Sequence, residues 1–250
     1  MEPREAAVAS GDSINGLGSH FMIDLNTYVR GAELGYEGVD FYVAGRGGVL
    51  GDVPADAVVD AFVHFEPTSI SDAWERTASH PRLTSAQEFA DVCHDWADAK
   101  IPDDVDCARI AELAGKLADH AATVIDPAVA PLFFGWRALP EPGADRPKAL
   151  ALHRLNGLRE MRGALHGAAV RAQGITSRDA VKHRTPYMLA VFGWADTDTP
   201  VADDVPARWE AAQAATEDAL VPAYEGLTLD ERAEFTELVN HLQARITGAA

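Results

Sequence analysis

Cysteine is nearly missing from this chain: Cys93 and Cys107 are the whole supply. Two are too few for a disulfide framework, and no CxxC pair offers a metal or redox site. Both read as reduced, partly buried thiols. Positive charge is scarce as well. Lys and Arg number 21 against 39 Asp and Glu, a net charge of −18. That balance argues against a whole-surface nucleic-acid binder, because phosphate binding needs cations where this surface supplies anions. No uncharged stretch reaches the roughly 18 residues of a membrane span. Residues 1–13 hold two glutamates and no apolar core, unlike a secretory leader. A cytoplasmic protein without a membrane partner is the expectation.

Several catalytic signatures are missing too. No ExxH precedes any of the nine histidines, so a helical di-iron carboxylate site lacks its ligand pair. HExxH, GxSxG and a Walker A lysine motif are absent, and no GxGxxG follows a strand pattern. No metal site is expected, and no cofactor is named by the motifs.

What is present is mainly α-helical patterning. Apolar residues make up 47% and charged residues 24%, ordinary for a globular chain. Ser85 and Glu88 form a capping box before Phe89, Val92, Cys93 and Trp96, which share one helical face. Thr228 and Glu231 repeat the box before Phe235, Leu238, Val239, Leu242 and Ile246. Pro54 suits the first turn of a helix that runs to Phe65 and stops at Glu66, since Pro67 disfavours helical geometry in the residue before it. Further helices are expected over 106–125, 155–172 and 177–183. The runs 41–44 and 187–192 are too short to assign by periodicity. Three prolines and a glycine mark 139–147 as the domain boundary, giving a loose segment 1–19, a helical domain 20–138 and a second helical domain 148–250. The acidic stretch 196–206 is a second break.

Four constellations carry candidate chemistry. Gly45 to Asp52, before the Pro54 helix, reads as an interhelical turn. Its backbone N–H groups and Arg46 could also meet an anion, although Asp52 would cap the helix itself. Asp91, His94, Asp95 and Asp98 recur on one helix edge with spacing that could surround a divalent cation, but that edge lies opposite the apolar stripe and reads as solvated. His64 ends the Pro54 helix, where a histidine suits the dipole, and nothing in the sequence brings His20 to it. The fourth is the strongest: residues 153–184 contain seven Arg and Lys against Glu160 and Asp179. On a helix over 155–172, Leu155, Leu158, Leu165 and Ala169 face inward, Arg162 falls within that face, and Arg159 and His166 flank it. An inward guanidinium needs an anion or carboxylate. Gly174 then turns the chain into a short helix capped by Thr176 or Ser177, the outline of a helix-turn-helix.

At these residues the sequence resembles the SalK-type helix-turn-helix family of actinobacterial proteins. The likeness rests on His20 to Gly35 with Phe41–Tyr42–Val43–Ala44–Gly45–Arg46, on Leu50–Gly51–Asp52–Val53–Pro54 through His64–Phe65–Glu66–Pro67, and on Leu158–Arg159–Glu160–Met161–Arg162–Gly163 with His166. The resemblance implies a helical N-terminal half packed with a winged-helix-related C-terminal half, in a small-molecule-associated or regulatory protein. The two strands of a wing are not found after Pro186, where the acidic loop stands instead. The leading expectation is a non-enzymatic binder of an anionic or polar–aromatic small molecule. Its contacts would come from Arg162, Arg159, His166 and Arg46, with His20 and His64 as further candidates. The alternatives are a DNA-binding transcriptional regulator reading through 177–184, or a histidine-dependent or haem-dependent enzyme using His20, His64 or His166.

Overall fold

The computed structural model describes residues 1–195 and 199–248. Among them are twelve α-helices and no strand: α1 (Pro3–Ile23), α2 (Leu25–Glu33), α3 (Asp40–Gly47), α4 (Ala55–Ala61), α5 (Pro67–Arg76), α6 (Arg82–Lys100), α7 (Cys107–Val124), α8 (Pro131–Arg137), α9 (Pro147–Ala172), α10 (Ser177–Arg184), α11 (Val205–Tyr224) and α12 (Leu229–Thr247). Short 3-10 turns fill Gly48–Leu50 and Pro186–Met188. The mainly helical expectation holds. No pair of wing strands exists among the described residues, and residues 196–198 of the acidic stretch lie outside them.

The long helix α9 is the axis of the molecule, packed against α1, α6, α7, α8 and α11. Its buried residues go nearly all round, from Leu152 and Leu155 to Met161 and Val170, as expected for a helix with neighbours on several sides. One hydrophobic core joins Ala6, Leu17 and Phe21 of α1, Phe89 of α6, Leu113 of α7, Leu155 of α9 and Phe235 of α12. That core runs across the proline-rich 139–147 connection without a break. Smaller clusters sit under α3–α5, around Val58 and Trp74, and beneath the α9–α10 hairpin, around Val170 and Ile175.

Several local expectations are corrected. Most of residues 1–19, expected to be loose, belongs to α1, which buries Ile14, Leu17, Phe21 and Met22. Six glycine and serine positions dilute the apolar spacing there. The predicted cap at Ser85 lies inside α6, which starts a turn earlier after Pro81; Ser85 Oγ instead accepts from the Tyr36 hydroxyl at 2.7 Å. Asp52 does not cap α4, whose N-cap is Pro54. The Pro54 helix ends at Ala61, and Glu66 begins the next one, accepting from the Ser69 N–H at 2.6 Å. By contrast, Thr228 and Glu231 form both bonds of the capping box before α12.

The glycine-rich segment is helix rather than loop. Gly45 and Gly47 belong to α3 and Gly48 opens a 3-10 turn. A Cβ on Gly48 would stand 2.2 Å from the Arg82 carbonyl oxygen, so the segment's glycine content serves close packing of α3 on α6. The run 41–44 is likewise part of α3, and 187–192 is a 3-10 turn with irregular chain.

Candidate functional site

Arg159, Arg162 and His166 recur at three and four positions along α9, which places them on one face. Opposite lies α1, where Gly18 and Gly11 receive the arginines: a Cβ on Gly18 would meet Arg159 Cδ at 2.6 Å, and one on Gly11 would meet Arg162 Nε at 3.1 Å. Arg159 donates to Ser19 Oγ at 3.1 Å and to Glu160 Oε1 at 2.7 Å. Across the interface, Arg46 of α3 takes the same carboxylate in a fork, Nε to Oε1 and Nη2 to Oε2, both at 2.8 Å. Its guanidinium also lies 4.4 Å from the Phe62 ring centroid and donates to the Tyr42 hydroxyl at 3.2 Å.

Glu160 is therefore the centre of a buried triad, with its side chain 2% exposed. Burial raises its pKa, but Arg46 and then Arg159 more than offset that, so the carboxyl is held below its ordinary value. The expectation that Arg46 and Arg159 would meet an external anion is corrected: each already has this chain's own carboxylate. Arg162 differs. It is half-buried rather than fully inward, and it makes no hydrogen bond or ion pair among the described residues. Two guanidinium groups thus share the Glu160 carboxylate, and the third, Arg162, has no part in it.

One turn further along α9, His166 is buried with its Nδ1 3.0 Å from Thr216 Oγ1. The Thr216 hydroxyl donates to the Ala212 carbonyl at 2.7 Å, so it must accept from His166. This puts the proton on Nδ1 and leaves a lone pair on Nε2. The His64 ring lies 5.8 Å from that of His166, and the Trp209 indole meets His166 edge-on at 4.9 Å. Burial pushes His64 down to about 4, with help from Arg46 and Arg171. Burial also pushes His166 down to about 3, helped by His64 and Arg162. Both rings are neutral at pH 7, and the surrounding field is positive. Such a field opposes a metal cation, and among the described residues no three His, Cys, Asp or Glu side chains converge on a cation site. It favours an anion.

His20 does not join this group. Its ring stacks on Trp96 at 5.9 Å and its Nε2 meets Gln243 Oε1 at 3.2 Å. The edge of α6 read as a solvated charge run divides in two: Asp95 and Asp98 hold Arg146, while His94 turns inward to His153. Sequence reasoning missed Glu160 as the acceptor, along with Tyr42, Thr216 and Trp209. The Arg–Glu–x–Arg spacing of 159–162 was the available signal for Glu160. Thr216 and Trp209 carried none, because their pairing with His166 is set by how α11 crosses α9.

Helix α10 follows α9 through Gly174, whose φ is +66, and the Thr176 side chain caps it by accepting from the Asp179 N–H. A long helix, a left-handed glycine turn and a short basic helix define a helix-turn-helix hairpin among helices. The chain belongs to a helix-turn-helix family, whose pattern it matches over residues 12–250. No protein of described function and no solved structure matches it.

Proposed function

We propose that this protein binds a small anionic or polar–aromatic molecule at the α1–α9–α11 face, without catalysing its conversion. The observation that carries the reading is Arg162: a half-buried guanidinium with no partner among the described residues, beside a triad in which two arginines already consume Glu160. A carboxylate or phosphate oxygen supplies what Arg162 lacks. The bare Nε2 of His166 accepts a hydroxyl from the same molecule, and the Trp209 ring offers an apolar wall. In this reading the scaffold derives from a winged helix of the SalK type and works in the cytoplasm, with neither membrane nor nucleic acid as partner.

The test is calorimetric titration of the wild-type chain and Arg162→Met with benzoate and with inorganic phosphate. Binding of at least one anion by the wild type, weakened at least tenfold in the variant, is the expected result. Equal affinity in both proteins, or no anion binding by the wild type, overturns it.

Membership in a helix-turn-helix family keeps DNA binding as a second reading. The hairpin geometry of α9 and α10 favours it. Against it, Ser177 at the start of α10 donates to the Val63 carbonyl, so the turn that would enter a groove is occupied by the chain itself. Retardation of duplex DNA that fades steeply with salt would support this reading over the first.

A further inference from the structure

A second pair of buried histidines lies on the other side of α9, and one of them, His153, borders a cavity that the anion site does not use. His153 is 1% exposed and His94 is 4% exposed; His94 Nε2 and His153 Nδ1 are 3.0 Å apart. Burial pushes His153 down to about 3 and lowers His94 as well, so both rings are neutral. One proton lies between them, and its direction follows from the flanks. His94 Nδ1 faces the Asp91 carboxylate at 3.8 Å, which places the His94 proton on Nδ1. His94 Nε2 is then an acceptor, and His153 Nδ1 donates to it. What remains on His153 is a lone pair at Nε2, buried and without a partner.

His153 lines a cavity of about 230 Å³ together with Trp136, Gly115, Ala118, Gly157 and two ion pairs. The pairs, Arg137–Asp119 and Arg154–Glu141, are closed at 2.8 and 2.5 Å, so the walls offer no net charge. His94 is not among the lining residues, and the unpartnered Nε2 of His153 is on the ring edge away from His94. The Trp136 indole N–H is spent on the His153 carbonyl at 2.8 Å. The indole therefore contributes an apolar face, tilted 30° to the imidazole at 5.2 Å. Gly157 marks space rather than packing. A Cβ there meets nothing nearer than Trp136 Cδ1 at 3.5 Å, an ordinary contact.

We propose that this cavity is a binding site for a small neutral planar molecule with one O–H donor, of the class of a phenol. The ring lies along Trp136 and Gly157 and the hydroxyl donates to His153 Nε2. An apolar cavity of roughly 150 Å³ already holds benzene, so the volume suffices for one substituted ring. This differs from the Arg162 site in the charge of what it takes.

Phenol and anisole, titrated separately into the full chain, test it. They share a ring and differ in the donor. The readouts are calorimetry and the ¹⁵N shift of the His153 imidazole. Phenol is expected to bind roughly tenfold tighter than anisole, the weight of one neutral hydrogen bond, and to move the Nε2 resonance. Gly157→Ala and Gly157→Val fill the space from a position where a side chain is tolerated, and are expected to weaken phenol progressively. No phenol binding, equal affinity for anisole, or unchanged affinity in both Gly157 variants overturns the proposal. The anion titrations of wild type and Arg162→Met do not depend on this cavity, which separates this outcome from that of the Arg162 site.

Discussion

Glu160 shows how much one buried carboxylate decides. Its two oxygens accept three charge-assisted bonds at 2.7–2.8 Å from Arg46 and Arg159. Replacing it by glutamine keeps the shape and removes the charge, leaving two part-buried guanidinium groups facing an amide. Breaking a buried pair by neutralising one partner costs about 3–5 kcal/mol. Glu160→Gln is therefore expected to lose stability of that order in urea denaturation, whereas Arg162→Met, which breaks no pair, should stay within about 1 kcal/mol of the wild type. A loss in Glu160→Gln no larger than that of Arg162→Met would contradict the triad's role.

Among the elements, α1 departs most from what the sequence announces. Ala6, Ala7, Ser10, Gly11, Leu17 and Gly18 are buried, but small residues give weak apolar contrast, so periodicity does not reveal the helix. α12 was legible because a capping box precedes large apolar residues at helical spacing. The same contrast explains the site. Arg159, Arg162 and His166 could be placed on one face because α9 is a single uninterrupted helix, whereas Arg46, Thr216 and Trp209 reach that face only through tertiary crossings. Removing residues 1–19 is expected to abolish cooperative unfolding, since it strips Ile14 and Leu17 from the common core and bares the α9 arginines. A truncated chain with a wild-type melting curve would show that α1 is dispensable.

At the scale of the whole molecule, neutral buried histidines make stability depend on pH. His64 titrates at about 4, and His153 and His166 at about 3, against about 6.5 in an unfolded chain. Above pH 6.5 all three are neutral in both states and the fold keeps its full stability. As pH falls below that, the unfolded chain takes up protons the folded one refuses. At pH 5 the loss is about 2 kcal/mol per histidine, comparable in sum to a large share of a typical domain's stability. Glu160, whose pKa is lowered, adds its own loss only below the ordinary carboxylate range. Urea midpoints at pH 7.5 and 5.0 check this. Equal midpoints would mean that the rings are already charged or solvated in the folded state.

The way α1 is seated also bears on how the chain is made. The Ser10 hydroxyl meets that of Tyr224, 214 positions away, and Arg4 pairs with Glu217 and Asp218. At roughly 5–20 residues per second on a ribosome, the first helix waits on the order of 10–40 s for its partners to emerge. During that interval its apolar side is uncovered, so nascent chains are expected to stay bound to a co-translational chaperone until residues 217–224 have emerged.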